Sequence, residues 1–152
     1  MGWELGDLLP SNFQVVTNDD IYGITYDFDP PPELTNDVTS KCFLILTEDR
    51  RIAAIHIQGQ ENDRFDAINL QKVLEDKYPL KNVYHDPYSG NIFYFGQGKH
   101  QIILNTNLLR SIDVNYEDTE LFSLSEQQQE LRKTSAKTAA DKQIQESLKR
   151  KF

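Results

Sequence analysis

Residues 82–117 read NVYHDPYSGNIFYFGQGKHQIILNTNLLRSIDVNYE. Four short segments, 82–86, 91–96, 100–105 and 111–117, are parted by Pro87-Tyr88-Ser89-Gly90, by Gly96-Gln97-Gly98-Lys99 and by residues 106–110. Glycine and proline at such breaks supply the positive or fixed φ angles that turns require. In the last segment Ile112, Val114 and Tyr116 alternate with Asp113, Asn115 and Glu117, the period of a strand with one buried and one wet face. The stretch predicts an antiparallel meander.

Upstream of it the period changes. Ala67, Leu70, Leu74 and Tyr78 follow helical spacing within residues 62–78, Lys72 and Asp76 pair on the exposed side, and Pro79 stops the run. Before that helix, residues 41–47 and 52–59 predict a hairpin around Glu48-Asp49-Arg50-Arg51. Both arms are apolar on each face, as in strands covered on two sides. Cys42 in such a strand reads as a small buried hydrophobe.

Residues 22–28 predict a further strand with Tyr22, Ile24, Tyr26 and Phe28 on one face, and residues 13–17 another. Asn18-Asp19-Asp20 reads as the turn between them. Pro30-Pro31-Pro32 then opens an extended connection to about Ser40. Beyond Leu121 there is neither proline nor glycine, Ser123 and Glu126 have capping-box spacing, and a long helix is expected. Its stripe of Ala140, Ile144, Leu148 and Phe152 is thin, so it docks on the sheet, pairs with another chain, or frays. The expected architecture is α+β: an antiparallel sheet of about six to eight strands, one main helix on a face, and a C-terminal helical tail. The domain boundary falls between residues 1–122 and 123–152.

Composition supports a packed core, with 38% hydrophobic residues among 152. No run approaches the roughly 18 apolar residues of a transmembrane helix, and one cysteine makes no internal disulfide. The formal charge of −8 is uneven: residues 126–152 carry +3 and residues 1–125 carry −11. An acidic body repels nucleic acid and anionic membrane and favours a basic protein partner; solubility alone is the plainer explanation of the charge. The opening Met-Gly-Trp-Glu-Leu-Gly has no basic or apolar leader region, which reads as cytoplasmic, or as periplasmic or cell-envelope if Met1-Gly2 replaces a removed signal peptide.

Chemistry is sparse. His56, His85 and His100 lack metal-ligand spacing, and neither Cys-x-x-Cys nor His-Glu-x-x-His occurs. Gly96-Gln97-Gly98 precedes a strand rather than a helix, which does not cradle phosphate. No catalytic residue, cofactor or metal is expected. The candidate partner-binding residues are Asp113, Asn115 and Glu117 on the outward row of the last strand. Tyr84, Tyr88 and Tyr94 join them from an aromatic patch that includes Phe93 and Phe95.

Three stretches carry a family resemblance: Trp3-Glu4-Leu5-Gly6, LQKVLEDKYP at 70–79, and SIDVNYED at 111–118. In these the chain resembles small, mostly uncharacterised bacterial domains often found in the cell envelope. In such domains a helix ending in Lys-Tyr-Gly leads into a meander closing on Tyr-x-Asp. Here Pro79 stands in place of that glycine. The resemblance covers residues 3–122 and implies fold and bacterial origin, with no catalytic residues to carry over. The functional expectation is a non-catalytic bacterial protein-binding module: an inhibitor, immunity or accessory protein with an acidic body. Two alternatives accompany it. One is an assembly protein that forms a homo-oligomer through the C-terminal helix, and the other a small hydrolase using a His–carboxylate pair.

Overall fold

The computed structural model describes residues 2–30, 40–62, 66–87, 90–107 and 110–152. Eight strands form one antiparallel sheet: β1 (Val16–Asp19), β2 (Gly23–Phe28), β3 (Lys41–Leu46), β4 (Ile52–Gln60), β5 (Leu80–Asp86), β6 (Gly90–Gln97), β7 (His100–Thr106) and β8 (Ser111–Asp118). The helices are α1 (Ala67–Lys77) and α2 (Thr119–Lys151). Strand order is β1-β2-β3-β4-β8-β7-β6-β5, so the two meanders join through the β4–β8 pair. The protein is α+β with a long C-terminal helical tail, as the patterning implies. Among the described residues no helix is long and apolar enough to cross a membrane.

Cross-strand neighbours share a face, and the sheet is covered differently on its two sides. One face carries two clusters. Leu9, Ile24, Leu44, Leu46 and Ile52 pack under Trp3, Leu5, Phe13 and Val15 of the N-terminal segment. Phe95, Ile102, Leu104 and Ile112 pack under Ala67, Leu70, Leu74 and Tyr78. The opposite face holds Phe43, Ile45 and Ala54, which meet Tyr22 and Phe122 of α2. β3 is thus buried on both sides, and Cys42, 2% exposed, is the small core residue its strand implies.

Several boundaries differ from the pattern-based expectation. The first strand begins at Val16, not at residue 13, because Phe13 and Val15 belong to a covering segment that crosses the sheet. That segment is pinned by backbone bonds Gly6 N to Ile52 O (2.8 Å), Ile52 N to Asp7 O (2.9 Å) and Leu9 N to Arg50 O (2.8 Å). The turn starts at Asp19, whose Oδ1 accepts from Ile21 N and Tyr22 N at 2.9 and 2.8 Å. Tyr22 does not share a face with Ile24. It lies ahead of β2, and Gly23 at φ +79° turns the chain so that its ring packs on Phe43 and His56 instead.

Helix α1 starts later than residue 62 because Asp66 caps it, accepting from Asn69 N at 2.8 Å. Helix α2 starts earlier than Ser123 because Asp118 does the same for Glu120 N and Leu121 N, at 3.0 and 3.1 Å. Ser123 and Glu126 therefore lie inside the helix and form no capping box. Most of the proline-rich connection, residues 31–39, lies outside the described residues.

Candidate functional site

The face opposite α1 is where the sequence-derived residues gather. One cross-strand row runs Phe43, His56, Asn115, Ile103, Tyr94, Asn82, and the next runs Lys41, Gln58, Asp113, Asn105, Ile92, Tyr84. A third places Ala54, Glu117 and Gln101 side by side. Asp113, Asn115, Glu117, Tyr84 and Tyr94 therefore share one face, although they come from three strands. Tyr88 lies outside the described residues.

Strand parity divides the aromatic patch expected from the sequence. Phe95 is fully buried on the α1 side, with Phe93 packed beside it. Tyr94 and Tyr84 look the other way, and their face-mates are Ile92 and Ile103. These two isoleucines are the members that sequence reading missed. Their signal was the alternation with Phe93 and Ile102, masked because both parities of β6 and β7 are apolar.

The face has two halves. Over β2, β3, β4 and β8 lies the start of α2, anchored by Phe122. Over β5, β6 and β7 no described element lies, and Tyr84 is 58% exposed. Ile92, Tyr94 and Ile103 are half-buried.

Where the halves meet, a polar network replaces the wet row expected for β8. Asn115 Nδ2 donates to Glu117 Oε2 at 2.7 Å, which orients its amide oxygen toward His56 Nδ1 at 3.2 Å. His56 Nε2 lies 2.6 Å from Asp113 Oδ1, off the line of an aligned N–H···O bond. The ring is stacked on Phe43 (centroids 4.7 Å) and tilted against Tyr22 (5.5 Å). Gln58 Nε2 donates to the other Asp113 oxygen at 3.4 Å.

Burial pushes the Glu117 carboxyl up to about 6; the Asn115 hydrogen bond opposes this and the nearby Glu126 adds to it. Glu117 is only 6% exposed, whereas the Asp113 side chain, 40% exposed, reaches solvent. The hydroxyl of Tyr22 is held above its ordinary value by burial and by the Asp113 and Asp19 charges.

The arrangement brings one imidazole and one carboxylate together, the pair that a hydrolase reading requires. The imidazole is 6% exposed and enclosed by aromatic rings. Cys42 sits on the opposite face, where burial pushes its thiol up to about 11, away from the thiolate form. His85 Nδ1 contacts Asn91 Oδ1 at 2.7 Å, and His100 Nδ1 lies 3.4 Å from the Tyr116 hydroxyl. Among the described residues no group of three or more His, Cys, Asp or Glu side chains could hold a metal ion. A recess of about 250 Å³ beside the network is lined by Gln58, Gln60, Asn107, Ser111 and Asp113.

Comparison with known proteins finds no matching protein family, no matching curated protein and no matching solved structure.

Proposed function

We propose that this chain is a protein-recognition module whose contact surface is the uncovered half of the sheet, on β5, β6 and β7. The supporting observation is the patch that Tyr84, Ile92, Tyr94 and Ile103 form over two adjacent rows, an aromatic and aliphatic surface facing away from α1, with Asp113 at its inner edge. Aromatic side chains anchored on a rigid sheet form low-entropy contact area, the composition from which interface hot spots are built. The −11 charge of residues 1–125 supplies long-range attraction toward a basic partner. His56, 6% exposed with Phe43 stacked on its ring and Tyr22 tilted beside it, is better suited to fixing β4 against β8 than to proton transfer with a substrate.

The test compares capture from the chain's own host by the natural protein and by Tyr84→Lys/Tyr94→Lys. Loss of two aromatic anchors is expected to weaken the partner by about 30-fold or more, and rising salt is expected to weaken capture by the natural protein. Equal capture by both forms at every salt concentration rules the surface out.

A further inference from the structure

We infer that the outer face of α2 pairs antiparallel with the same face of a second copy of this chain. Helix α2 has 33 residues, about 50 Å at ~1.5 Å per residue. The side chains it turns toward its own body are Phe122, Ser125, Gln129, Arg132, Lys133 and Ala136. On a seven-residue repeat with Leu124 at position a, these six fall at b, c and f. Positions a and d then face away from the sheet.

That outward seam is where the exposed large apolar residues of α2 collect. Position a holds Leu124, Leu131, Thr138, Gln145 and Phe152, and position d holds Gln127, Thr134, Asp141 and Leu148. Leu131 is 67% exposed and Leu148 51%, and Leu124 and Phe152 are exposed as well. Gln127, Glu130, Leu131 and Thr134 line a shallow recess on the same face. A helix seated on a sheet normally turns polar side chains outward; here the outward face carries two apolar pairs, one near each end. From residue 137 onward every side chain is exposed, and an isolated helix of that length is marginal in water.

Charge selects the occupant and its direction. Glu130 flanks the seam in the first half of α2, where the two bases, Arg132 and Lys133, are turned to Glu48 and to the Asp20 carbonyl. The second half ends in Lys149-Arg150-Lys151. An antiparallel copy sets Glu130 beside Lys151 of the other chain, twice, whereas a parallel copy sets each of these groups against itself. With Leu131 opposite Leu148 of the other copy, Gln127 meets Phe152, Thr134 meets Gln145 and Thr138 meets Asp141. Lys137 and Lys142 bracket Asp141 near the centre. The arrangement is its own complement, so it closes a two-fold dimer. It uses no residue of the β5–β7 patch and stands apart from the function proposed above. The polar middle of the seam limits affinity to the micromolar range.

The test uses the purified full-length chain, with mass measured in solution up to roughly 0.1 mM, where micromolar association is largely complete. The expected result is a two-fold mass. Leu131→Glu/Leu148→Glu is expected to stay monomeric at that concentration while keeping the amide-exchange protection of β3, β4 and β8. Glu130→Lys is expected to weaken the dimer by about tenfold, and adding Lys151→Glu to restore it. Under oxidation, Leu131→Cys/Leu148→Cys is expected to yield a 131–148 cross-link between copies, identified by peptide mass. Leu131→Cys alone is expected to yield none, because the two positions 131 would lie about 25 Å apart, seventeen residues at ~1.5 Å each. A monomer throughout overturns the inference. So does a dimer indifferent to Leu131→Glu/Leu148→Glu, which would place the interface elsewhere, or a 131–131 cross-link, which would make the pair parallel.

Discussion

His56 of β4 and Asp113 of β8 meet across the strand pair that joins the two meanders, with 2.6 Å between Nε2 and Oδ1. They are not directly opposite: His56 faces Asn115 in register, and Asp113 is opposite Gln58. The contact is therefore diagonal, of the kind long side chains make on one sheet face. It ties β4 to β8 at the boundary between the half of the face that α2 covers and the half left open.

Removing that carboxylate should cost stability. Asp113→Ala leaves the buried His56 Nε2 without its charged neighbour, and we expect a loss of about 1–2 kcal/mol in urea unfolding. Asp113 is itself part-exposed, which keeps the effect below that of a fully buried pair. Unfolding midpoints equal to the natural protein would show that the pair contributes nothing.

Glu117 imposes a pH dependence whose sign follows from its raised value of about 6. Its folded form holds a proton more tightly than the unfolded chain does. Glu117 therefore opposes folding at pH 8, and this is relieved as pH falls through 6 toward the ordinary carboxylate range. Glu117→Gln keeps an acceptor for Asn115 and removes the charge. It should stabilise the protein by roughly 1 kcal/mol at pH 8 and by almost nothing at pH 4.5. A constant difference across that range would contradict the assignment.

The cap of α2 can be tested separately. Asp118, 2% exposed, accepts from Glu120 N and Leu121 N and lies 3.4 Å from Lys99 Nζ. Asp118→Ala should lower stability by about 1–2 kcal/mol, with Asp118→Asn recovering part of it. Chemical denaturation of the three forms decides the point. Full retention of stability in the alanine variant would place the start of the helix under other control.

Gly90 opens β6, the strand that carries Ile92 and Tyr94. Its φ is +104°, and a Cβ there would overlap the backbone carbonyl oxygen of Thr106. Gly90→Ala should therefore force β6 from β7 and lower stability by about 3 kcal/mol or more. Amide exchange across β6 and β7 is expected to accelerate together. A variant as stable as the natural chain would mean that this hairpin tolerates a different turn.

The element list was legible because its signals are local. Alternation in residues 111–117, the stop at Pro79, and the glycines at 90, 96 and 98 each act within a few residues of themselves. The apolar double parity of β3 and β4 marked them as covered on both sides, which the N-terminal segment and α2 bear out.

Which side each residue takes is another matter, because it depends on register across strands distant in sequence. Tyr22 changes face at one positive φ. Phe93 and Tyr94, adjacent in the chain, end on opposite surfaces, and Glu117 leaves solvent because α2 begins two residues later and crosses above it. Patterning thus establishes an acidic sheet protein with a basic helical extension. That five candidate residues from three strands share one face, and that half of this face stays uncovered, follows only from pairing β4 with β8: no local preference encodes a contact between residues about sixty positions apart.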